Sequence, residues 1–434
     1  ATTNLTGTMD NSGGTLTLDA TTGDLNFING TISGGTITDD GAGRYNFSTG
    51  NGTFDGVIVD TDLLIENNRT LNITNDLEFG ASAPTITLGG TGYGRITLLN
   101  NVSQSIGATG TGSIILNHAS SQVNDQGYSG HLHTIGQNVS ISGFGGVTAG
   151  AASSFFDNQG TISASVSGQT LSLTRVLNNT IGTLESINGA SLALNAGSLA
   201  NDGTINVGPA SFINTSNASL TKSLTGILQG SGTLNVGTGT FTNNGIVRPG
   251  GLNATGILTL IGAYSQSASG TLEIELEGNV PGSGTGFHDQ LWVTQNATLA
   301  GDLNVTTINA YVPVTFDNYR VFVSSSGTIS GAFNAPITAP VSINDSPTYG
   351  SNFIDLLAFV STIEWDGGGD GVSWNDSDNW STNIVPGGSD QVYINFGGPI
   401  TFDTANATIA NLFSINYFSI NSNSLTNTGA TLFN

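Results

Sequence analysis

The sequence Asn158-Gln-Gly-Thr-Ile162 is repeated three more times, with small changes, before residue 250. The pivotal glycines of the four copies are separated by 22, 21 and 42 residues, and the last interval equals two periods. Asn and Gly adopt positive φ more readily than other residues, so each copy supplies a sharp turn. A fixed period of roughly 20 residues indicates a solenoid. The later copies are Asn179-Thr-Ile-Gly-Thr-Leu184, Asn201-Asp-Gly-Thr-Ile205 and Asn243-Asn-Gly-Ile-Val247.

Short alternating sequences lie between these turns, and they predict strands with one apolar face. Stacked coils would bury that face, because each strand pairs with the same strand of the coils above and below. The turn asparagines would then stack as well and form a ladder of side-chain hydrogen bonds. The pattern predicts a parallel β-helix, and a hairpin in an antiparallel sandwich is the alternative. The residues expected to point inward are Leu171, Leu173, Leu192, Leu194, Ile205, Val207, Leu234 and Val236.

Composition narrows the class of protein. Charged residues are only 9% of the chain, yet the net charge is −23 and Lys222 is the one lysine. A surface so poor in cations argues against binding to nucleic acid or to anionic lipid, although it suits divalent cations. No apolar run is long enough for a transmembrane helix, so no membrane insertion is expected. The 434 residues include no cysteine, which is common in large repetitive secreted bacterial proteins.

A resemblance to a known family begins near residue 230. Gly230-Ser-Gly-Thr-Leu234, Asn243-Asn-Gly-Ile-Val-Arg-Pro-Gly250, Gly256-Ile-Leu-Thr-Leu260 and Gly270-Thr-Leu-Glu-Ile-Glu-Leu276 follow in that order. This order resembles the repeat in passenger domains of bacterial autotransporters and related surface proteins. The resemblance implies a right-handed parallel β-helix displayed outside a bacterial cell. It indicates architecture and secretion, and it implies no chemistry.

The same resemblance divides the first 360 residues into two predicted parts. Residues 1–260 are expected to form the regular β-helix. Residues 261–360 have longer strands and more aromatics, and are expected to form a passenger-like end of the helix or a sandwich-like cap. Within this second part the strand at 271–277 alternates, and its three glutamates are expected to form one solvated acidic face.

A different sequence style begins at residue 361. Residues 361–399 contain Glu364-Trp-Asp-Gly-Gly-Gly-Asp-Gly-Val-Ser-Trp374, which resembles a short motif of large repetitive exported proteins of environmental bacteria. There the motif precedes new β-helix coils. Residues 400–434 accordingly read as strands that start a further β-helix or pair with a neighbouring subunit.

Four aspartates of the small module are candidate metal ligands. They lie within 13 residues on a Gly-rich loop, and hard carboxylate oxygens on a flexible loop suit Ca²⁺. The alternative is a solvated acidic loop whose aspartates cap turns. The spacing matches neither an EF-hand nor a nonapeptide calcium repeat. The four residues are Asp366, Asp370, Asp376 and Asp378.

Two further groups of side chains invite a functional interpretation. Trp365, Trp374 and Trp380 would suit a sugar-stacking platform, but a module with little else to bury favours a core. His131 and His133 share a strand face, yet a metal site would need a third ligand and supporting partners.

No constellation of catalytic residues is evident in the sequence. Parallel β-helices also include polysaccharide lyases and hydrolases, whose chemistry needs a positioned base and a charge-stabilising group. Within the most regular stretch, residues 156–266, Arg175 and Lys222 are the basic residues before Arg248, and neither lies among acidic residues. A non-enzymatic role is therefore expected, and a polysaccharide-degrading enzyme is the least favoured alternative.

The resulting hypothesis is an extracellular structural protein of a bacterial surface. It would be a subunit or repeat of a filament, sheath or matrix, joined head to tail through residues 1–40 and 400–434 of neighbouring copies. The start at Ala1 indicates a cleaved signal or an excerpt of a longer chain. The main alternative is a β-helical adhesin that presents a binding surface to cells or to cell-surface polysaccharide.

Overall fold

The chain folds almost entirely as stacked parallel β-coils. Strands comprise 54% of the residues and helix 1%, and the coils make a β-solenoid of about 17 turns. The predicted all-β parallel solenoid is therefore confirmed. The computed structural model describes residues 2–178, 181–195, 199–314, 317–340, 342–358, 363–388, 390–394, 400–401, 406–414, 424–428 and 431–433.

The chain divides into two compact units. The first comprises residues 1–311, 320–338 and 348–355, and the second comprises 312–319, 339–347 and 356–434. Among the described residues, no helix is both long and apolar enough to cross a bilayer.

Each coil of the first unit contributes strands to three parallel ladders, which we call faces A, B and C. Face A begins with a separate three-stranded sheet, Thr2–Leu5, Asp24–Phe27 and Tyr45–Asn46. It continues with Leu63–Ile65, Thr85–Leu88, Thr161–Ala164, Thr183–Ser186, Thr204–Val207, Ile227–Gly230, Ile246–Pro249, Thr271–Leu276 and Asp302–Thr307. Face B contains Thr8–Asp10, Gly30–Ser33, Gly94–Leu98, Thr170–Thr174, Ser191–Asn195, Phe212–Asn214, Gln290–Val293 and Asn318–Ser324. Face C contains Thr15–Leu18, Thr36–Asp39, Ser105–Ile106, Leu132–Ile135, Phe155–Asn158, Val176–Asn178, Leu199–Asn201, Leu220–Lys222, Ala297–Leu299 and Ile329–Gly331.

Six longer strands turn a corner and belong to two faces. Gly112–Asp125 and Val139–Thr148 pass from face A to face B. Gly52–Val59, Arg69–Phe79, Thr233–Asn243 and Ile257–Gln266 pass from face B to face C. The predicted boundary at residue 260 lies inside the last of these strands, whose residues pair onward with the coil at 290–299.

Alternation places one side of every face in the core. Leu171 pairs with Leu192, and Leu173 pairs with Leu194, so apolar side chains stack directly between coils. All eight residues predicted to point inward are buried. Burial of such rows on stacked coils is the main stabilisation of a solenoid, because a single coil cannot bury its own apolar row.

The turns use the left-handed conformation that the Asn/Gly pattern predicts. Asn188 and Gly189 have φ of 59° and 73° and connect face A to face B within one coil. Asn tolerates this region better than most residues, and Gly has no Cβ to clash there.

Short additional strands complete the first unit near its C-terminal part. Phe287–His288 pairs antiparallel with Thr271–Leu276 and parallel with Val280–Pro281. Thr348–Tyr349 forms an antiparallel pair with Phe353–Leu357. These are the departures from parallel pairing in the part of this unit that the structure describes.

The second unit also contains parallel strands. Ile363–Trp365, Gln391–Ile394, Asn411–Ser414 and Thr431–Phe433 form a four-stranded parallel sheet, and Ala407–Ile409 pairs with Leu425–Asn427. A 3₁₀ helix, Ser377–Asn379, is capped by the Asp376 side chain. New coils were predicted at residues 400–434. The described strands of that segment pair in parallel, and part of the segment is outside the portion of the chain that the structure describes.

Candidate functional site

A row of buried polar side chains runs along the end of face C. Six residues from six consecutive coils stand in register, each paired with the next. All are buried although each carries a polar side chain. We call this row the amide ladder, and its members are Asn158, Asn178, Asn201, Lys222, Asn243 and Gln266.

Hydrogen bonds connect the amide ladder to itself and to the adjacent turns. Asn158 donates its Nδ2 to the Asn178 Oδ1 at 2.9 Å, and Asn178 donates to the Thr204 carbonyl at 3.0 Å. Asn243 donates to Gln266 Oε1 at 3.3 Å and to the Thr271 carbonyl at 3.1 Å. A buried amide that lacks partners is destabilising, so this network makes register between coils specific.

Lys222 occupies the ladder position where the period would place an asparagine. Its Nζ donates to Asn201 Oδ1 at 2.5 Å and to the Gly203 carbonyl at 2.6 Å. Among the described residues it forms no ion pair with a carboxylate. Burial therefore lowers the pKa of Lys222 to about 7, with Asp202 opposing the shift.

A pair of buried carboxylates corrects the expectation for the strand at 271–277. Glu275 was expected on a solvated acidic face, but it is buried and accepts the N–H groups of Asn253 and Ala254 at 2.9 and 2.8 Å. Asp289 is also buried, and it accepts the N–H groups of Gly256 and Glu275 at 2.7 and 2.8 Å. Burial raises the pKa of Asp289 to about 9. The two carboxylates fasten the 250–256 turn.

The alternation rule failed at Glu275 because the turn folds over that side of the strand. Glu273, two residues earlier, remains partly exposed and pairs with Arg248, with 2.6 Å between Arg248 Nη2 and Glu273 Oε2. The sequence did not point to Asp289, and it marked Lys222 only as an isolated basic residue. The gap in the asparagine period was the available signal for its place in the ladder.

The four candidate calcium ligands lie on the predicted Gly-rich loop and mainly organise its backbone. Asp370 Oδ1 accepts the N–H groups of Val372 and Ser373 at 2.8 and 2.7 Å and the Asn379 Nδ2 at 2.8 Å. Asp376 accepts the N–H groups of Asp370 and Asp378 through separate oxygens. Hydrogen bonds, with the Ser373 N–H contributing most, lower the pKa of Asp370.

These contacts give two of the four aspartates a turn-capping role. Asp366 caps more locally by accepting the Gly368 N–H at 3.0 Å, and Asp378 is exposed. The structure does not gather three acidic or histidine side chains into one metal-binding group among its described residues. Calcium binding at this loop stays a prediction.

The three tryptophans of the module form its core. Trp365 and Trp374 both pack edge-on against Trp380, with ring centroids 4.9 and 4.6 Å away. All three are buried together with Val392 and Ile394. The core interpretation is confirmed, and the three rings form no exposed sugar platform.

His131 and His133 contact different partners. His133 is buried, its Nδ1 accepts the Gln104 N–H at 3.2 Å, and its Nε2 lies 3.5 Å from Asp125 Oδ2. Burial lowers the pKa of His133 despite that carboxylate. His131 Nε2 instead lies 2.8 Å from the Asn101 Oδ1. His133 therefore forms a buried pair with Asp125, and His131 forms a hydrogen bond at the surface.

The fold defines the chain as a parallel β-solenoid protein. No protein-family model matches the sequence, and a search of curated proteins finds no significant match.

Proposed function

We propose that this protein is a non-enzymatic structural component of a bacterial cell surface, a subunit or repeat of a filament, sheath or matrix. The stacking of its coils carries the proposal. The amide ladder and the apolar rows continue in register from coil to coil, so hydrogen bonds and burial act along one axis. Contacts between each coil and its neighbours therefore oppose separation of the coils along that axis, which suits a scaffold.

The first coil supports a head-to-tail mode of assembly. Its three strands, Thr2–Leu5, Thr8–Asp10 and Thr15–Leu18, each pair with one strand of the second coil and with no other described strand. The residues Thr2, Thr3 and Asn4 are exposed along this edge. Unpaired N–H and C=O groups of an open edge favour addition of another strand.

The described strands near residue 430 have the same one-sided pairing. Thr431–Phe433 pairs with Asn411–Ser414, and Leu425–Asn427 pairs with Ala407–Ile409. We propose that these strands of one copy stack on the first coil of the next. Such a contact joins two different surfaces, so it propagates as an open filament.

An extracellular location rests on composition and resemblance. A chain of 434 residues without cysteine, with net charge −23, suits a secreted acidic matrix protein. The autotransporter-type order of motifs between residues 230 and 276 points to the same compartment.

A proline on the open edge tests the assembly. The carbonyls of Gly14 and Leu18 accept hydrogen bonds from N–H groups of the second coil, so the alternate residue Thr17 directs its N–H away from that coil. Thr17→Pro removes an outward donor and is compatible with an edge strand, whereas Thr17→Ala keeps it. Sedimentation velocity and electron microscopy over a concentration series should show end-to-end oligomers for the wild type and Thr17→Ala, and monomers for Thr17→Pro.

Two results would contradict the proposal. One is a wild-type chain that stays monomeric throughout the concentration series. The other is equal assembly of Thr17→Pro and Thr17→Ala, with both variants retaining the wild-type far-UV spectrum.

A further inference from the structure

One stretch of face B carries exposed aromatic side chains in register. Phe212 pairs with Thr233, Thr233 with Thr259, and Thr259 with Trp292, so these four residues form one outward row over four coils. Phe212 is 49% exposed and Trp292 is 38% exposed. Isolated exposed apolar residues are ordinary, but two aromatics in one ladder row form a repeated surface feature.

A second outward row lies two residues further along each of three strands. It contains Asn214, Asn235 and Ile261, which pair in that order, and Ile261 is 37% exposed. Asn214 Oδ1 accepts the Ser216 N–H at 2.7 Å, and Asn235 Oδ1 accepts the Gly237 N–H at 2.9 Å. These turns orient both amides and leave each Nδ2 without an acceptor among the described residues.

The two rows together contain aromatic faces, hydroxyls and amides but no charged group. We call them the aromatic strip: Phe212, Thr233, Thr259 and Trp292, with Asn214, Asn235 and Ile261. The absence of charge on these seven residues contrasts with the net charge of −23 for the whole chain. That overall charge repels polyanions, whereas the strip itself offers nothing to attract a charged ligand.

Aromatic faces beside oriented amides and hydroxyls match the chemistry of sugar rings. The C–H face of a pyranose packs on an aromatic side chain, and its hydroxyls exchange hydrogen bonds with amide and hydroxyl groups. Neighbouring coils are spaced by about 4.8 Å, so three steps separate Phe212 from Trp292 by roughly 14 Å. A chain of several sugar units can span that distance.

We propose that the aromatic strip binds an uncharged polysaccharide, with the sugar chain lying along the solenoid axis over face B. The strip is a lateral surface of the first unit and uses no residue of the proposed head-to-tail contact. Binding is therefore independent of the assembly proposed above, and Thr17→Pro should retain it.

Trp292 provides a direct probe of this binding. The other three tryptophans, Trp365, Trp374 and Trp380, are buried, so an aqueous quencher of fluorescence reports mainly on Trp292. Addition of a soluble neutral β-glucan or mannan should shift the emission to shorter wavelength and protect Trp292 from quenching. Polygalacturonate of similar length should do neither at the same concentration.

Variants distinguish binding at the aromatic strip from nonspecific adsorption through exposed apolar side chains. Retention is then measured on an insoluble form of whichever polysaccharide protects Trp292. Trp292→Ala and Phe212→Ala should each weaken this retention about tenfold or more. Leu224→Ala removes a more exposed apolar side chain elsewhere on the first unit and should leave retention unchanged. Melting curves of the three variants establish that each remains folded.

The proposal is overturned if no neutral polysaccharide protects Trp292, or if Leu224→Ala weakens retention as much as Trp292→Ala. It is also overturned if polygalacturonate binds equally well. Protection of Trp292 that rises with protein concentration, in the absence of sugar, would assign the strip to contact between copies of this chain.

Discussion

At the residue scale, Lys222 shows that the position of a residue in the coil can bury a side chain that is ordinarily exposed. Lysine is almost never fully buried without a partner. Here the backbone register places it between Asn201 and Asn243, where an amide oxygen and a carbonyl already face the core. The neutral amine satisfies both acceptors, and that form is favoured because burial lowers its pKa to about 7.

This pKa predicts a pH-dependent stability. In the unfolded chain lysine keeps its proton up to its ordinary pKa of 10.5, whereas in the folded chain Lys222 loses it above about 7. The unfolded state therefore binds more protons at this group between these values, so the contribution of Lys222 to the free energy of unfolding should rise with pH by up to about 1.4 kcal/mol per unit. That contribution should be lowest below pH 7.

Lys222→Asn tests this expectation, because asparagine continues the ladder without a titrating group. Denaturant unfolding gives the change in the free energy of unfolding from pH 7 to pH 9.5, and this change should be more positive for the wild type than for the variant, because Asp289 titrates in both proteins. Thr221→Asn on the exposed side of the same strand serves as the control and should keep the wild-type slope. Identical slopes for wild type and Lys222→Asn would show that the buried amine does not control the dependence.

At the element scale, the Gly-rich loop of the second unit depends on one carboxylate. Three donors converge on Asp370 Oδ1, from Val372, Ser373 and Asn379. Asp370→Ala leaves those donors to water, so the second unit should melt at a lower temperature even in chelator. Asp378→Asn changes an exposed carboxylate on the same loop and should leave the melt unchanged. Equal melts for the two variants in chelator would contradict the capping role.

The calcium hypothesis adds a separate expectation for the same samples. If the loop binds calcium, the ion should raise the melting temperature of the wild type but not of Asp370→Ala. A wild-type melt that is identical with calcium and with chelator would reject a structural ion at this loop.

Alternation of apolar and polar residues predicted the strands well wherever one side of the strand faces the core and the other side faces solvent. Leu192 and Ile205 alternate with polar residues, and both are in the core as expected. Glu275 also follows the alternation, but a turn that lies 21 to 22 residues earlier in the sequence covers its outward side. Such a covering depends on the path of residues 250–256 in three dimensions, and no local pattern encodes it.

Candidate sites were harder to predict than the coils. The loop aspartates were identified, but their capping of turns depends on which N–H groups converge on each oxygen. Trp292 lies in the end region, 261–360, and the sequence gives it no role, because its alignment with Phe212 three coils earlier depends on the register between coils. Register between coils is a property of the folded stack.

At the scale of the whole molecule, side chains of the first unit have different roles according to where they lie on the three faces. Inward rows supply apolar burial, the amide ladder specifies register, and outward rows present chemistry to the surroundings. The proposed structural role and the proposed polysaccharide-binding role use different parts of this arrangement. One concerns the coil edges, and the other concerns the side of face B.

The stacking register is the basis of all these proposals, and paired cysteines test it directly. The natural chain has no cysteine, so an introduced pair reports without interference. Thr183 and Thr204 are directly paired on face A, with an expected Cα spacing of about 4.8 Å that suits a disulfide. Thr183 and Asn206 are offset by two residues, which places their Cα atoms roughly 8 Å apart, beyond easy bridging.

Mild oxidation followed by mass spectrometry of the intact protein and its non-reduced peptides is the deciding measurement. The parallel solenoid predicts an intramolecular disulfide in the Thr183→Cys/Thr204→Cys variant and free thiols in the Thr183→Cys/Asn206→Cys variant. Free thiols in the first variant, or preferential bridging in the second, would contradict the register on which the account rests.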